Sequence, residues 1–169
     1  LLDYYEANDY QFKISKNNNN KDFKKILNDL LDEFSKVDDK LAEQYKKRLS
    51  NIYGEIDFKS TITLVDIPDS KHEAFPKGCK LEQIAIKRQV EKSGKLFLIN
   101  ADLWSKLSSV QKAGLILHEI IYEHFSYLGE SDSKKARYMN ALIAHIGSKN
   151  PLDEPYKKLL QSQQIPIYR

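Results

Sequence analysis

Cysteine is almost missing from this chain: Cys79 is the single one in 169 residues, so no internal disulfide can form. Its two readings are a small buried thiol and a thiol whose partner lies upstream of the sequence given. No apolar run approaches the roughly 18 residues of a membrane-spanning helix, which predicts a chain without a membrane span. Charge of one sign is also lacking. With 27 Lys and Arg against 24 Asp and Glu, the formal net charge is only +3. The Lys residues are interspersed with acids rather than gathered on a stripe, which excludes the electrostatic footprint of a nucleic-acid partner. There is no initiator Met before Leu1-Leu2-Asp3. That start predicts a processed or trimmed protein whose upstream segment, with any signal peptide, has been removed.

What is present suffices for a core. Hydrophobic residues make up 41% and charged residues 30%, a composition that excludes a disordered chain. The length fits a single domain over 1–169 and leaves no room for a solenoid. We divide that domain into a helical part, 1–52, a part with the sheet and the central helices, 53–147, and a C-terminal helix and tail, 148–169.

Residues 1–12 read as a short amphipathic helix, and Asn17 to Asn20 as a loop. From Asp22, apolar residues recur every three or four positions at Phe23, Ile26, Leu27, Leu30, Leu31 and Phe34. The pattern continues at Val37, Leu41, Tyr45, Leu49 and Ile52, which predicts one long helix or two joined near Ser35. Alternation over 56–67 predicts a strand ended by Pro68. Two more strands, 81–90 and 95–99, flank a turn carrying Gly94 and predict a hairpin. Asn100 is placed to cap a short helix bearing Trp104, and Ser108 with Gln111 fits a capping box that opens a longer helix to Leu128. That helix leaves almost no polar side and is the predicted central buried helix. Gly129 ends it, Ser131 or Ser133 starts the next, and Met139, Leu142, Ile143 and Ile146 supply a core stripe. The fold class predicted is α+β: helices packed around a small antiparallel sheet.

Candidate chemistry lies on the buried helix. His118, Tyr122, Glu119 and Glu123 fall on one arc at about 100° per residue, and His124 points elsewhere. Buried polar groups of this kind need partners or a cavity. His118-Glu119 resembles the start of the zinc-peptidase signature H-E-x-x-H, but the fifth position is Tyr122, a poorer zinc ligand than imidazole. The strand 96–100, the capped turn and the His-Glu helix together resemble the core of small zincin metallopeptidases. A closer resemblance is carried by LLDYYEA, GCKLEQIAI, INADLW, KAGLILHEIIYE and the Ser-Asp-Ser and Arg that follow. These strings are similar to a family of uncharacterised secreted proteins from predatory and related Gram-negative bacteria, over most of the chain. The resemblance implies that His-Glu-x-x-Tyr is the family pattern, that the protein is periplasmic or secreted, and that an upstream Cys could pair with Cys79. It implies no activity.

Three readings follow. In the first, a Tyr-variant metallohydrolase acts on peptide or cell-envelope material, with zinc held by His118, Tyr122 and Asp132 and with Glu119 as general base or acid. In the second, a metal-free site, His118 and Glu119 share proton transfer and Arg137 holds an anion. In the third, His118, Glu119 and Tyr122 form a buried network in a non-catalytic envelope module, whose exposed helices over 22–52 contact a protein or peptide partner. Asp132 and Arg137 also fit a helix-terminal acid with an Arg one turn on. Trp104 reads as a core or rim aromatic, His145 as an amphipathic surface position or a further ligand, and His72 as a loop residue without signal.

Overall fold

The computed structural model describes residues 1–16, 21–65, 77–88 and 94–166. The expected loop at Asn17 to Asn20, Pro68, His72 and most of the turn before Gly94 lie outside them. The chain divides into two compact units, Leu1–Leu49 with Ser108–Arg169, and Ser50–Leu107.

The first unit is helical. It contains α1 (Leu2–Glu6), α2 (Phe23–Phe34), most of α3 (Asp39–Ile52), α5 (Ser109–Tyr127), α6 (Lys134–Gly147) and α7 (Tyr156–Ser162), while α4 (Ala101–Lys106) belongs to the other unit. The 22–52 stretch is two helices, and the three-to-four spacing buries Ile26, Leu27, Leu30, Leu31 and Phe34 on α2. Val37, read as part of the same stripe, falls in the turn between them and is exposed. The capping box is formed as expected: Gln111 N–H donates to Ser108 Oγ at 3.2 Å, and Ser108 N–H to Gln111 Oε1 at 3.1 Å. Gly129 follows α5 at φ +94°, a backbone region that suits glycine.

The most enclosed helix is α6. Every residue from Ala136 to Ile146 is buried, and α1, α2 and α5 all pack against it. The sequence points instead to α5, because α6 carries Arg137, Asn140 and His145 among its apolar residues. Those polar residues are buried because other segments supply their partners. Two glycines permit the close approaches. A Cβ on Gly147 of α6 would lie 3.1 Å from Leu30 Cα of α2, and one on Gly114 of α5 would lie 2.5 Å from Tyr4 Cζ of α1.

The second unit holds β1 (Ile56–Lys59), β2 (Ala85–Lys87), β3 (Phe97–Asn100) and α4 (Ala101–Lys106). Strand order is β1-β3-β2. β1 runs parallel to β3, with Ile56 opposite Phe97, and β2 runs antiparallel to β3, with Ala85 opposite Ile99. The sheet is therefore mixed, which corrects the antiparallel expectation; parallel pairing needs a long connection, and residues 60–96 provide one. The strands are also shorter than the runs that suggested them. Asn100 caps α4 as expected, its Oδ1 accepting from Asp102 and Leu103 N–H at 3.0 and 3.1 Å. Trp104 on α4 packs edge-on against Phe58 at 5.4 Å between ring centroids.

Candidate functional site

His118 sits mid-way along α5 with 12% of its side chain exposed. Its Nδ1 is 2.7 Å from Oδ2 of Asp3 on α1, a residue 115 positions earlier. The same carboxylate oxygen accepts from Asn140 Nδ2 of α6 at 2.7 Å, and that amide also donates to the Gly114 carbonyl at 2.9 Å. Three helices thus meet at one buried carboxylate.

A second knot lies beside it. Arg137 of α6 donates from Nε to both oxygens of Glu6, at 3.0 and 2.8 Å, and from Nη1 to Ser133 Oγ at 2.7 Å. All three are buried. The short helix α1 therefore runs antiparallel to α6, with Asp3 at Asn140 and Glu6 at Arg137. Because Asp3, Glu6, Ala7 and Tyr10 share one helical stripe, the acids face inward together with Ala7.

Burial by itself favours neutral His118, but the Asp3 carboxylate outweighs it through charge and hydrogen bond. Glu119 adds in the same direction and Arg137 opposes, leaving the imidazole raised from its ordinary 6.5 to about 9. For Asp3, burial acts upward, and the His118 charge and hydrogen bonds from His118 and Asn140 prevail, so its pKa is lowered. The pair is carboxylate and imidazolium at neutral pH.

The candidate residues do not assemble as a metal centre. Among the described residues, no group of three His, Cys, Asp or Glu side chains is placed to hold a metal ion. This overturns the ligand set of His118, Tyr122 and Asp132, the zinc, and with them the zincin-like core and the Tyr-variant metallohydrolase. The physical reason is local. A metal centre needs several ligands converging on one point, and the side chains proposed to join His118 are placed elsewhere. Asp132 instead stands ahead of α6, accepting from Lys134 N–H at 3.0 Å with Lys134 Nζ at 3.8 Å. The ring of Tyr122 is 6.1 Å from that of His118.

Other placements differ as well. Arg137 pairs with Glu6 rather than with Asp132. Glu119 is buried next to His118. Farther along α5, Glu123 meets Arg48 Nε of α3 at 2.5 Å, and His124 Nδ1 lies 3.0 Å from Tyr45 Oη. Those contacts explain why two more polar residues sit on an apolar helix. His145 is neither at the surface nor beside His118; it is buried on α6 and bonded to the N-terminal segment. Cys79 is exposed, against the expectation of a buried thiol. Sequence reasoning missed Asp3, Glu6 and Asn140. The available signal was the pair of acids three residues apart on an otherwise apolar helical stripe.

A groove of about 850 Å³ lies elsewhere in this unit. Tyr4, Tyr5, Phe12, Lys13, Lys16 and Val110 are among its lining residues, and among the described residues no acid lines it. Comparison with protein-family models, with curated proteins and with solved structures gives no match to the chain.

Proposed function

We propose that this chain is a non-catalytic binding module whose buried ionic network is its frame and whose groove is its binding face. The observation that carries the reading is Asp3 Oδ2, which His118 and Asn140 both reach at 2.7 Å. Groups so closely paired within the protein hold three helices together, and they fit a structural role better than chemistry on a substrate. The groove supports a peptide partner. Its tyrosines and Phe12 offer apolar contact, while Lys13 and Lys16, with no acid among the described lining residues, favour an acidic segment. The resemblance to uncharacterised secreted bacterial proteins is the ground for placing the module in the periplasm or outside the cell.

The test is selection of a random peptide display library on the full chain, repeated on a Lys13→Glu, Lys16→Glu variant. The reading expects acidic peptides with apolar anchors that bind the wild type and lose at least about tenfold in affinity on the variant. Absence of enrichment, or peptides that bind both proteins equally, would overturn it. Elemental analysis of the same preparation should find no stoichiometric zinc.

A further inference from the structure

His145 fixes its own protonation state by what surrounds it. Lys13 N–H donates to His145 Nδ1 at 2.8 Å, so that nitrogen must carry a lone pair. His145 Nε2 lies 3.0 Å from the Pro151 carbonyl, an acceptor, so that nitrogen must carry the proton. The ring is therefore the neutral Nε2–H tautomer. Phe12 packs on it at 5.2 Å between centroids. Nearby, Ser15 N–H donates to Ser148 Oγ at 2.8 Å, and Asn150 Nδ2 donates to the Lys13 carbonyl at 2.9 Å.

We propose that residues 12–16 form a proton-gated strap: neutral His145 latches it to α6, and protonation of Nδ1 releases it. A second proton turns the acceptor that faces the Lys13 N–H into a donor. Two donors then face each other at a part-buried contact, and the strap loses the anchor at Lys13, keeping, among the described residues, only its hydrogen bonds to Ser148, Asn150 and the Ala7 carbonyl.

Lys13 is the titratable residue among the described contacts of His145, and the short 3-10 turn Ala7–Tyr10, which also packs on α6, carries Asp9 and Tyr10. On α1, Asp3 and Glu6 are engaged by His118 and Arg137. On α5, His118, Glu123 and His124 have Asp3, Arg48 and Tyr45, while Glu119 acts on His118. On α2, Asp29 and Glu33 pair with Lys21 and Lys36, and Asp32 with Lys46 of α3. Phe12, Lys13, Ile14 and Lys16 also form one wall of the groove. Release would dismantle that wall, a consequence that rests on the binding reading; the release itself does not.

Amide hydrogen exchange on the full chain, corrected for intrinsic rates, tests the latch. As pH is lowered from about 7.5 to about 5.5, the Lys13 amide should lose protection by at least about tenfold while α5 and α6 keep theirs. His145→Asn retains an amide oxygen as acceptor but has nothing to titrate, and should keep the Lys13 amide equally protected at both ends. Nitrogen-15 NMR of the wild type should find Nδ1 unprotonated at the upper pH, with its titration coinciding with the loss of protection. Unchanged Lys13 protection in the wild type, an Nδ1 that carries a proton at the upper pH, or the same loss in His145→Asn would each overturn the proposal. If His145→Asn fails to fold, the wild-type tautomer and the coincidence of the two titrations decide. Since exchange reads the strap and peptide affinity reads the groove, either can fail without the other.

Discussion

Asp3 and His118 lie 115 residues apart in sequence and 2.7 Å apart in space, as carboxylate and imidazolium. This contact turns a broken metallopeptidase signature into a helix-docking device, and it makes stability depend on pH in a defined way.

The folded imidazole titrates near 9 and the unfolded one near 6.5. A raised folded value means stabilisation that is complete below 6.5 and lost as pH rises through 9, because the unfolded chain there holds fewer protons. The depressed Asp3 contributes in the opposite range: its stabilisation is present above the ordinary carboxylate pKa and lost on acidification. Urea midpoints should therefore fall on both sides of a mildly acidic plateau that ends at about pH 6.5. In His118→Ala the alkaline decline between 6.5 and 9 should flatten, and a decline of unchanged slope would place the titrating group elsewhere.

His118→Ala should lower stability by about 3 kcal/mol at neutral pH, because Asp3 stays buried with its charge unmatched. Asp3→Asn in the same background should restore part of that, since a buried amide costs less than a buried carboxylate. Chemical denaturation of the two single variants and the double variant measures the coupling. Additive effects would mean that the two side chains do not interact.

The Glu6–Arg137 pair makes the same point without a titration near neutrality. Arg137→Met leaves a buried carboxylate and should cost about 3 to 5 kcal/mol, whereas Glu6→Gln with Arg137→Met should cost distinctly less. Circular dichroism melts would read this as a lower Tm for the single variant than for the double.

Gly114→Ala should destabilise even though alanine is the better helix former by about 1 kcal/mol. The new methyl would lie 2.5 Å from Tyr4 Cζ and 2.7 Å from Leu1 Cδ2, so α1 would have to move off α5 and strain the Asp3 contact. Tyr4→Ala should relieve much of the loss. If Gly114→Ala proves stabilising, α1 does not pack as closely as described.

Local signals proved readable where the physics is local. Helix periodicity placed α2, α3, α5 and α6, and the caps at Asn100 and Ser108 formed as their side-chain chemistry required. Strand pairing was only partly legible. The parallel partner of β1 enters the sheet some forty residues later, and no short-range pattern states that direction. His118, Glu119 and Tyr122 were correctly found to be polar residues on a buried helix. The metal-site reading of them failed because a helical arc says which side chains share a face and nothing about what faces them.

By itself, then, the sequence determined the elements, their caps, the α+β class and the need for buried polar residues to find partners. Tertiary structure alone decided who those partners are. Asp3 and Glu6 look like ordinary charges on a short amphipathic helix until α6 brings Asn140 and Arg137 against them. A charge is identical in sequence whether it meets water or an opposite charge in low dielectric, and the difference between those surroundings fixes the protonation of His118.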